Sequence, residues 1–202
     1  MKKKILVATT NPGKIVEISK FLKDLPFKIV SLKDVGINID VKEAGKTYKE
    51  NSKLKALFYA KLSNLPAISD DGGIEIMALG GAPGVKSRRW LGHNATDKEI
   101  IEHMKKVSKE LPEKNRIAYF KTVITFALPN GKYFQSTGKV KGEIAKKPLL
   151  KLLKGYPYRS FFFLPRINKF YHESQLSKEE QRLYNHRYKA IQKLIQKIQK
   201  YV

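Results

Sequence analysis

Ile5 to Ala8 is a short apolar run of strand formers, and beyond the polar turn Thr9-Thr10-Asn11-Pro12-Gly13-Lys14 the apolar residues recur at Ile15, Ile18, Phe21 and Leu22, a helical spacing. The pattern predicts strand, turn, helix. A second strand is expected at Ile29-Val30. Thr47 followed by Glu50 has the form of a capping box, and the helix it opens carries Leu54, Leu57, Phe58 and Leu62. Pro66-Ala67-Ile68-Ser69 reads as a third short strand that stops at Asp70-Asp71-Gly72-Gly73, with alternation resuming at Ile74 and Ile76 and a Gly/Pro-rich turn at Gly80–Gly84. Thr96 and Glu99 form another capping box ahead of the stripe Ile100, Ile101, Met104 and Val107. From Arg116 to Ile144 the texture is β, with Ala118, Phe120, Val123, Ile124 and Phe126, a Pro129-Asn130-Gly131 turn, then Tyr133-Phe134 and Val140. This predicts a hairpin or meander. A last helix is expected over roughly 178–201, with Leu183, Arg187, Ala190, Ile191, Leu194, Ile195 and Ile198 on one side.

Composition narrows the class. With 202 residues, 42% hydrophobic, no Cys and no internal repeat, the chain reads as a single globular domain over residues 1–202. That length buries roughly 70% of the surface of the unfolded chain, enough for a core without crosslinks. The absence of cysteine removes thiol nucleophiles and thiolate metal sites and is compatible with a reducing compartment. The net charge of +23 makes anionic partners the default expectation, whether nucleotide, nucleic acid or membrane surface. Residues 139–202 hold 16 Lys+Arg against 4 Asp+Glu, half of the excess. A solvated helix face accounts for most such lysine-rich stretches, and a nucleic-acid surface is the sharper alternative. The longest dense apolar stretch, Phe161–Leu164, is far short of the roughly 20 residues of a membrane helix, and the start lacks the apolar core of a signal peptide. A cytoplasmic, unprocessed chain with no membrane partner is expected.

Three places carry candidate chemistry. A strand delivering Thr9, Thr10, Asn11, Pro12, Gly13 and Lys14 to a helix start offers backbone N–H groups, a hydroxyl, an amide and an ammonium where helix geometry favours anions. Phosphate binding and an ordinary N-cap both fit it, and the Walker A spacing is absent. Asp70-Asp71 at a strand end sits where open α/β sheets place ligands. Adjacent carboxylates repel, which points to Mg²⁺ as the cation, while an Asx turn closing a hairpin fits equally well. Glu43 is a further candidate ligand. Tyr156-Pro157-Tyr158 and His186-Arg187 offer flat rings, an imidazole and a guanidinium suited to a base and phosphates, against the plainer readings of core tyrosines and a surface pair. His93, His103 and His172 have no metal-like spacing.

These residues converge on a known pattern. Ala8–Lys14, Glu43-Ala44-Gly45, Thr47, Glu50-Asn51, Leu54-Lys55-Ala56, Ser69–Ile74, Leu79–Val85, Ser87, Arg89, Ala95-Thr96-Asp97 and Asn185-His186-Arg187 occur in order along almost the whole chain. In them the sequence resembles the inosine triphosphate pyrophosphatase family, whose members hydrolyse ITP, dITP and XTP to monophosphate and pyrophosphate. The resemblance implies an α/β fold, elongated and two-lobed around a long twisted mixed sheet with a central substrate cleft, and a homodimer. It also implies that Thr9 to Lys14 and Lys55 hold the triphosphate. By the same resemblance Glu43, Asp70 and Asp71 are expected to support Mg²⁺, Asp71 to activate water, and His186 and Arg187 to meet base and phosphates.

The departures gather around base recognition. Gly72 replaces a serine expected to contact substrate, and Arg159 replaces an acid expected in the segment Gly155-Tyr156-Pro157-Tyr158-Arg159-Ser160. Gln181 stands where a lysine is expected, with Arg182 next to it as a substitute, and Asn185 replaces a serine. If Arg159 points inward, the same chemistry with altered base choice, such as a modified pyrimidine triphosphate, is the alternative. The rival outside this chemistry is a catalytically weakened, basic binding protein for nucleotide or nucleic acid, recognisable by steep salt dependence.

Overall fold

The computed structural model of the protein describes residues 3–151 and 153–201. An open mixed sheet of seven strands runs in the order β2-β1-β3-β4-β5-β6-β7. β1 (Lys4–Val7) pairs in parallel with β2 (Lys28–Ser31) and with β3 (Ala67–Ile76), as strand–helix–strand connections require. β4 (Ile117–Ala127) and β5 (Tyr133–Ile144) form the expected hairpin, its turn closed by Leu128 N–H to Lys132 C=O at 2.8 Å, with Gly131 at φ 88°. β6 (Phe162–Leu164) and β7 (Lys169–Phe170) complete the antiparallel end. Sequence reading missed these two because three-residue and two-residue strands show no alternation to detect. The helices are α1 (Pro12–Leu22), α2 (Tyr48–Ser63), α3 (Asp97–Glu110), α4 (Lys178–Leu183), α5 (His186–Gln192) and α6 (Ile195–Tyr201). Among the described residues none is long and apolar enough to cross a membrane.

The chain divides into two compact units. The first comprises Met1–Asp71, Thr122–Gly138 and Arg187–Val202, and the second Gly72–Lys121 and Lys139–His186. In the first, Ile5, Val7, Ile18, Leu22, Ile68, Ile124, Phe126, Ile191 and Ile198 form one core cluster. In the second, Ile74, Ile76, Ile100, Met104, Phe120, Phe161, Phe162 and Tyr171 form another, so the stripe expected of α3 is indeed its buried face.

Three sequence expectations are overturned. β3 does not stop at Asp70 but continues through Asp71, Gly72 and Gly73 to Ile76. The paired glycines signal crowding rather than a turn: neither has positive φ, and a Cβ on Gly73 would collide with the Ser87 hydroxyl and the Gly84 carbonyl. Ser87 Oγ accepts the Ile74 N–H at 3.0 Å, so the close approach closes a hydrogen bond.

The predicted last helix is three helices, broken at Tyr184–Asn185 and again before Ile195. Successive helical residues lie 100° apart, so one continuous surface helix cannot bury Asn185, His186 and Arg187 together, and all three are buried here. Leu183, expected on the buried stripe, is 57% exposed. The third correction is α2, whose buried face is Asn51, Ser52, Lys55, Ala56, Tyr59 and Ala60, while Leu54, Phe58 and Leu62 are exposed. Polar bonds set its orientation: Ser52 Oγ meets Ser69 Oγ at 3.0 Å and Thr125 Oγ1 at 2.7 Å, and the Tyr59 hydroxyl donates to Ile39 C=O at 2.9 Å.

Both capping boxes form as expected. Glu99 Oε2 accepts the Thr96 N–H at 2.8 Å and its Oε1 faces His93 Nε2 at 2.9 Å. The Thr96 backbone bond, then the Thr96 hydroxyl, hold the Glu99 carboxyl down at about 2. A folded-state value below the unfolded one contributes stability that is present above about pH 4.5 and lost as pH falls towards 2. Glu99→Gln is therefore expected to lower Tm slightly at pH 7, and the gap to the parent should close between pH 4.5 and 2 in thermal melts.

Candidate active site

The carboxyl end of β1 leads through Thr9 and Asn11 into the start of α1. Thr9 Oγ1 accepts the Asn11 N–H at 3.2 Å, Asn11 Oδ1 caps the helix by accepting the Lys14 N–H at 3.1 Å, and Pro12 opens the helix without losing a bonded N–H. The plain N-cap reading of this turn is thus realised, and it leaves the Lys14 side chain directed at β3. Thr10 is exposed, while Gly13 and Lys14 are half-buried.

Lys14 Nζ lies 2.8 Å from Asp70 Oδ2 and Arg187 Nε lies 3.2 Å from the same oxygen. Thr122 Oγ1 donates to Asp70 Oδ1. Arg187 also binds Glu17 Oε2 at 2.9 Å through its terminal nitrogen. Burial works strongly against the charge on Asp70, but Arg187 and Lys14 outweigh it and hold its carboxyl far below the usual carboxylate range. Both oxygens of Asp70 are engaged, Oδ2 by two cations and Oδ1 by a hydroxyl, which makes the residue an anchor for the charged groups around it.

Asp71, the next residue on the strand, points to the other face. Its Oδ1 lies 3.7 Å from Lys55 Nζ, and its Oδ2 is buried without a hydrogen-bond partner among the described residues. Here burial wins over Lys55 and Lys14, and the pKa rises. Lys55 reaches Glu43 Oε1 at 2.5 Å and donates to the Asp70 carbonyl at 2.9 Å. Burial opposes its charge, yet Asp71 and Glu43 together overcome that and keep its pKa above the ordinary lysine value. Neighbouring carboxylates driven in opposite directions are the arrangement that separates a permanent anion from a proton acceptor.

Among the described residues no group of three or more His, Cys, Asp or Glu is placed to hold a metal ion. Mg²⁺ characteristically takes one or two protein carboxylates and completes its octahedron with water and phosphate oxygens. Asp71, with an unpartnered buried oxygen, and Glu43 suit that demand.

The remaining candidates lie in the second unit. Tyr158 belongs to the core, its hydroxyl donating to the Ser87 carbonyl at 2.6 Å, so its ring is not an open stacking surface. Arg159 is 7% exposed, its guanidinium carbon 3.9 Å from the centre of the Tyr156 ring and 4.6 Å from that of Tyr171. Pro157 is buried and Gly72 half-buried. The His186 ring stacks on Phe120 at 5.2 Å and its Nδ1 lies 3.3 Å from the Tyr171 hydroxyl. Arg182 is exposed on α4.

Sequence reading missed Thr122 and Glu17 and quoted Asn51 without giving it a role. Thr122 binds both the Asp70 carboxylate and the Asp71 carbonyl, and its signal was a hydroxyl inside an apolar strand. Glu17 is the acid of α1, one turn beyond Lys14. Asn51 Oδ1 accepts the Gly45 N–H at 2.8 Å while its buried Nδ2 has no partner, and a Cβ on Gly45 would crowd this amide.

An open α/β sheet thus gathers two lysines, an arginine and two unlike carboxylates around a helix start. The Ham1 family model matches residues 5–197, and the chain belongs to the Ham1 family. A protein of Thermus thermophilus named dITP/XTP pyrophosphatase is 37% identical over 193 residues, covering 96% of this chain and 90% of that protein. One of the same name from Caldanaerobacter subterraneus subsp. tengcongensis is 39% identical over 192 residues, covering 95% and 94%. The solved structure of a HAM1 protein from Coxiella burnetii matches with TM-score 0.82 at 32% identity, over 98% of this chain and 99% of that one.

The two aspartates should separate in stability measurements. Asp70→Asn leaves buried cations short of their counter-charge and is expected to cost about 3 kcal/mol in urea unfolding at pH 7. The raised pKa of Asp71 means that ionising it costs more in the folded than in the unfolded chain, a cost absent at low pH that appears as pH rises through the folded value. Asp71→Asn should therefore leave stability unchanged or increase it.

Proposed function

We propose that the protein is a Mg²⁺-dependent pyrophosphohydrolase of non-standard purine nucleoside triphosphates, converting ITP, dITP and XTP to the monophosphate and pyrophosphate and so cleansing the nucleotide pool. The observation that carries the reading is the buried, proton-avid Asp71 carboxylate with one oxygen unpartnered, next to a lysine held charged. Membership of a family whose relatives bear the name dITP/XTP pyrophosphatase supports the choice of substrate.

In this reading Asp71 Oδ2 takes a proton from water as the water oxygen bonds to the α-phosphorus. The bond from that phosphorus to the bridging oxygen breaks, and its electron pair leaves with pyrophosphate. Lys14 and Lys55 stand as fixed positive charges for the phosphate oxygens, with the backbone N–H groups at the start of α1 adding donors. Glu43, Asp70 and Asp71 would hold Mg²⁺, which supplies neutralisation of charge on the phosphoryl oxygens. The same reading takes the protein as cytoplasmic and as a homodimer, the latter supported by the apolar face exposed on α2.

Arg159 favours a second reading, altered base choice within the same chemistry. Its guanidinium is drawn inward onto two tyrosine rings rather than released to solvent, so a buried cation stands where the resemblance implies an acid. A polar group facing an unmatched base edge costs selectivity of the kind a hydrogen-bonding pocket otherwise provides.

Pyrophosphate release from ITP, XTP, dITP, GTP, ATP, CTP and UTP, with Mg²⁺ and with chelator, tests both. Turnover of ITP, dITP and XTP that needs Mg²⁺ and falls about 10²- to 10⁴-fold in Asp71→Ala is expected. Equal turnover by Asp71→Ala and the parent would falsify the catalytic assignment, and Mg²⁺-dependent turnover confined to a pyrimidine triphosphate would select the second reading.

A further inference from the structure

The basic last third of the chain is the feature of the sequence that the hydrolytic reading leaves unused. Segments 122–138 and 181–202 contain no Asp or Glu. Within the first unit they meet on one face of the sheet. Phe126, Leu194 and Ile198 share a core cluster against which Phe134 and Tyr201 pack, whereas Ala56, Tyr59 and Ala60 of α2 pack with Leu6 and Ala127, the alternate strand residues, on the opposite face. Lys189, Lys193, Lys197 and Lys200 are exposed along α5, α6 and the turn between them, and Lys132 is exposed in the β4–β5 turn. Several of these ammonium groups are held in place. Lys132 Nζ donates to the Tyr201 hydroxyl at 2.7 Å, Lys193 Nζ donates to the Thr137 carbonyl at 2.8 Å, and Lys197 Nζ lies 5.7 Å from the centre of the Phe134 ring, which stacks on Tyr201 at 5.4 Å. The hydrogen bond from Lys132, and then the charges of Lys132, Lys200 and Lys197, hold the Tyr201 hydroxyl below its ordinary pKa, the effect of a concentrated positive field. Lysines that only solvate a helix alternate with acids along it. Among the described residues none of these five joins an ion pair, and Glu17, the acid that α1 brings to this side, is bound to Arg187.

We propose that this lysine face binds the phosphate backbone of a nucleic acid strand without sequence preference. The chemistry of the surface selects this occupant. No large apolar side chain of residues 187–201 is exposed, so the face has neither the apolar anchor on which a protein partner's affinity rests nor a wedge to enter a bilayer. Its binding energy has to come from cations alone. Neutralising closely spaced phosphates and releasing their condensed counterions is the one strong source of affinity open to such a surface, and it is indifferent to base sequence. The lysines fixed on Tyr201, Phe134 and the Thr137 carbonyl meet the strand with less side-chain entropy to lose than free ones would have. The inference goes beyond the hydrolytic reading and does not depend on it.

Fluorescence anisotropy of labelled single-stranded DNA and RNA of about 20 nucleotides, titrated with the full chain between about 50 and about 500 mM NaCl, tests it. A Kd in the micromolar range is expected at about 50 mM NaCl, the same for unrelated sequences, with log K falling against log salt at a slope of about −3, as four to five phosphate contacts give. The chain carrying Lys193→Glu, Lys197→Glu and Lys200→Glu should bind about tenfold more weakly or worse, with the slope reduced to about −1. Lys193→Gln, Lys197→Gln and Lys200→Gln together should show the same loss of slope with circular dichroism and melting those of the parent, which separates the effect from any disturbance of α6. Lys106→Glu, Lys109→Glu and Lys114→Glu change the net charge by the same amount at exposed positions of the second unit and should leave the slope at the parent's value. No binding at the lowest salt overturns the proposal, as does an equal loss of slope in both charge-reversed chains, which would assign binding to the net charge and not to this face. Capture by phosphatidylserine vesicles or by polyglutamate where the oligonucleotides fail overturns it in favour of lipid or an acidic protein. Binding is read apart from pyrophosphate release, so the hydrolytic reading stands or falls separately.

Discussion

The Asp70 carboxylate has no exposure to solvent, and three residues of the first unit send it their charge or hydroxyl: Lys14 from α1, Thr122 from β4 and Arg187 from α5. Desolvating one carboxylate costs several kcal/mol, which only close and multiple partners repay. Such a cluster stabilises little beyond what a packed apolar one would. Its effect lies in geometry, because the three partners must converge to within hydrogen-bond reach for the fold to hold a charge there at all. Arg187 also binds Glu17 on α1, so one arginine ties the first helix of the first unit to that unit's closing segment, Arg187–Val202.

That constraint explains the contrast with Asp71. Strand geometry sends adjacent side chains to opposite faces, so the anchoring of Asp70 sets the direction of Asp71 without any bond to its own oxygens. The neighbour is left with one lysine at 3.7 Å and an unpartnered oxygen, and burial then dominates its titration. Two identical residues in sequence thereby receive opposite properties from one strand. The cationic side of the same cluster follows suit: Lys55 spends its bonds on Glu43 and the Asp70 carbonyl and retains its charge in a buried setting.

The parts legible in the sequence are those governed by local rules. Strand β1, the capped starts of α2 and α3, the stripe of α3 and the β4–β5 hairpin all follow from caps, turn residues and periodicity. The motif residues around Lys14, Lys55, Asp70, Asp71 and Arg187 were also legible, and the first unit brings them together. What pattern could not show is the division of labour between the aspartates, because it depends on Thr122, Arg187 and Lys14 arriving from distant positions. Nor could it show the break before His186, since no proline or glycine marks it and its cause is the burial of three consecutive polar side chains. The glycine pair after Asp71 misled for a related reason: close approach of Ser87 and Gly84, not a turn, demands the missing side chain at Gly73.

Helix α2 joins these strands of argument. A binary pattern would turn Leu54, Phe58 and Leu62 to the core, yet the helix faces inward with Asn51, Ser52 and Lys55. Burying Lys55 is worthwhile only next to Glu43 and the carbonyl and carboxylate of β3, and Ser52 completes a hydroxyl network with Ser69 and Thr125 that fixes the same face. With Ala56, Tyr59 and Ala60 supplying the apolar contact, the helix sits close to the sheet and keeps its ammonium at the carboxylates. A helix has only one circumference, so the face taken by the site is a face withdrawn from the core, and its large apolar residues are displaced to solvent. Local pattern and tertiary structure conflict in natural proteins mainly where function requires it. On α2 the polar cluster thus determines both the inner chemistry and the apolar character of the outer surface.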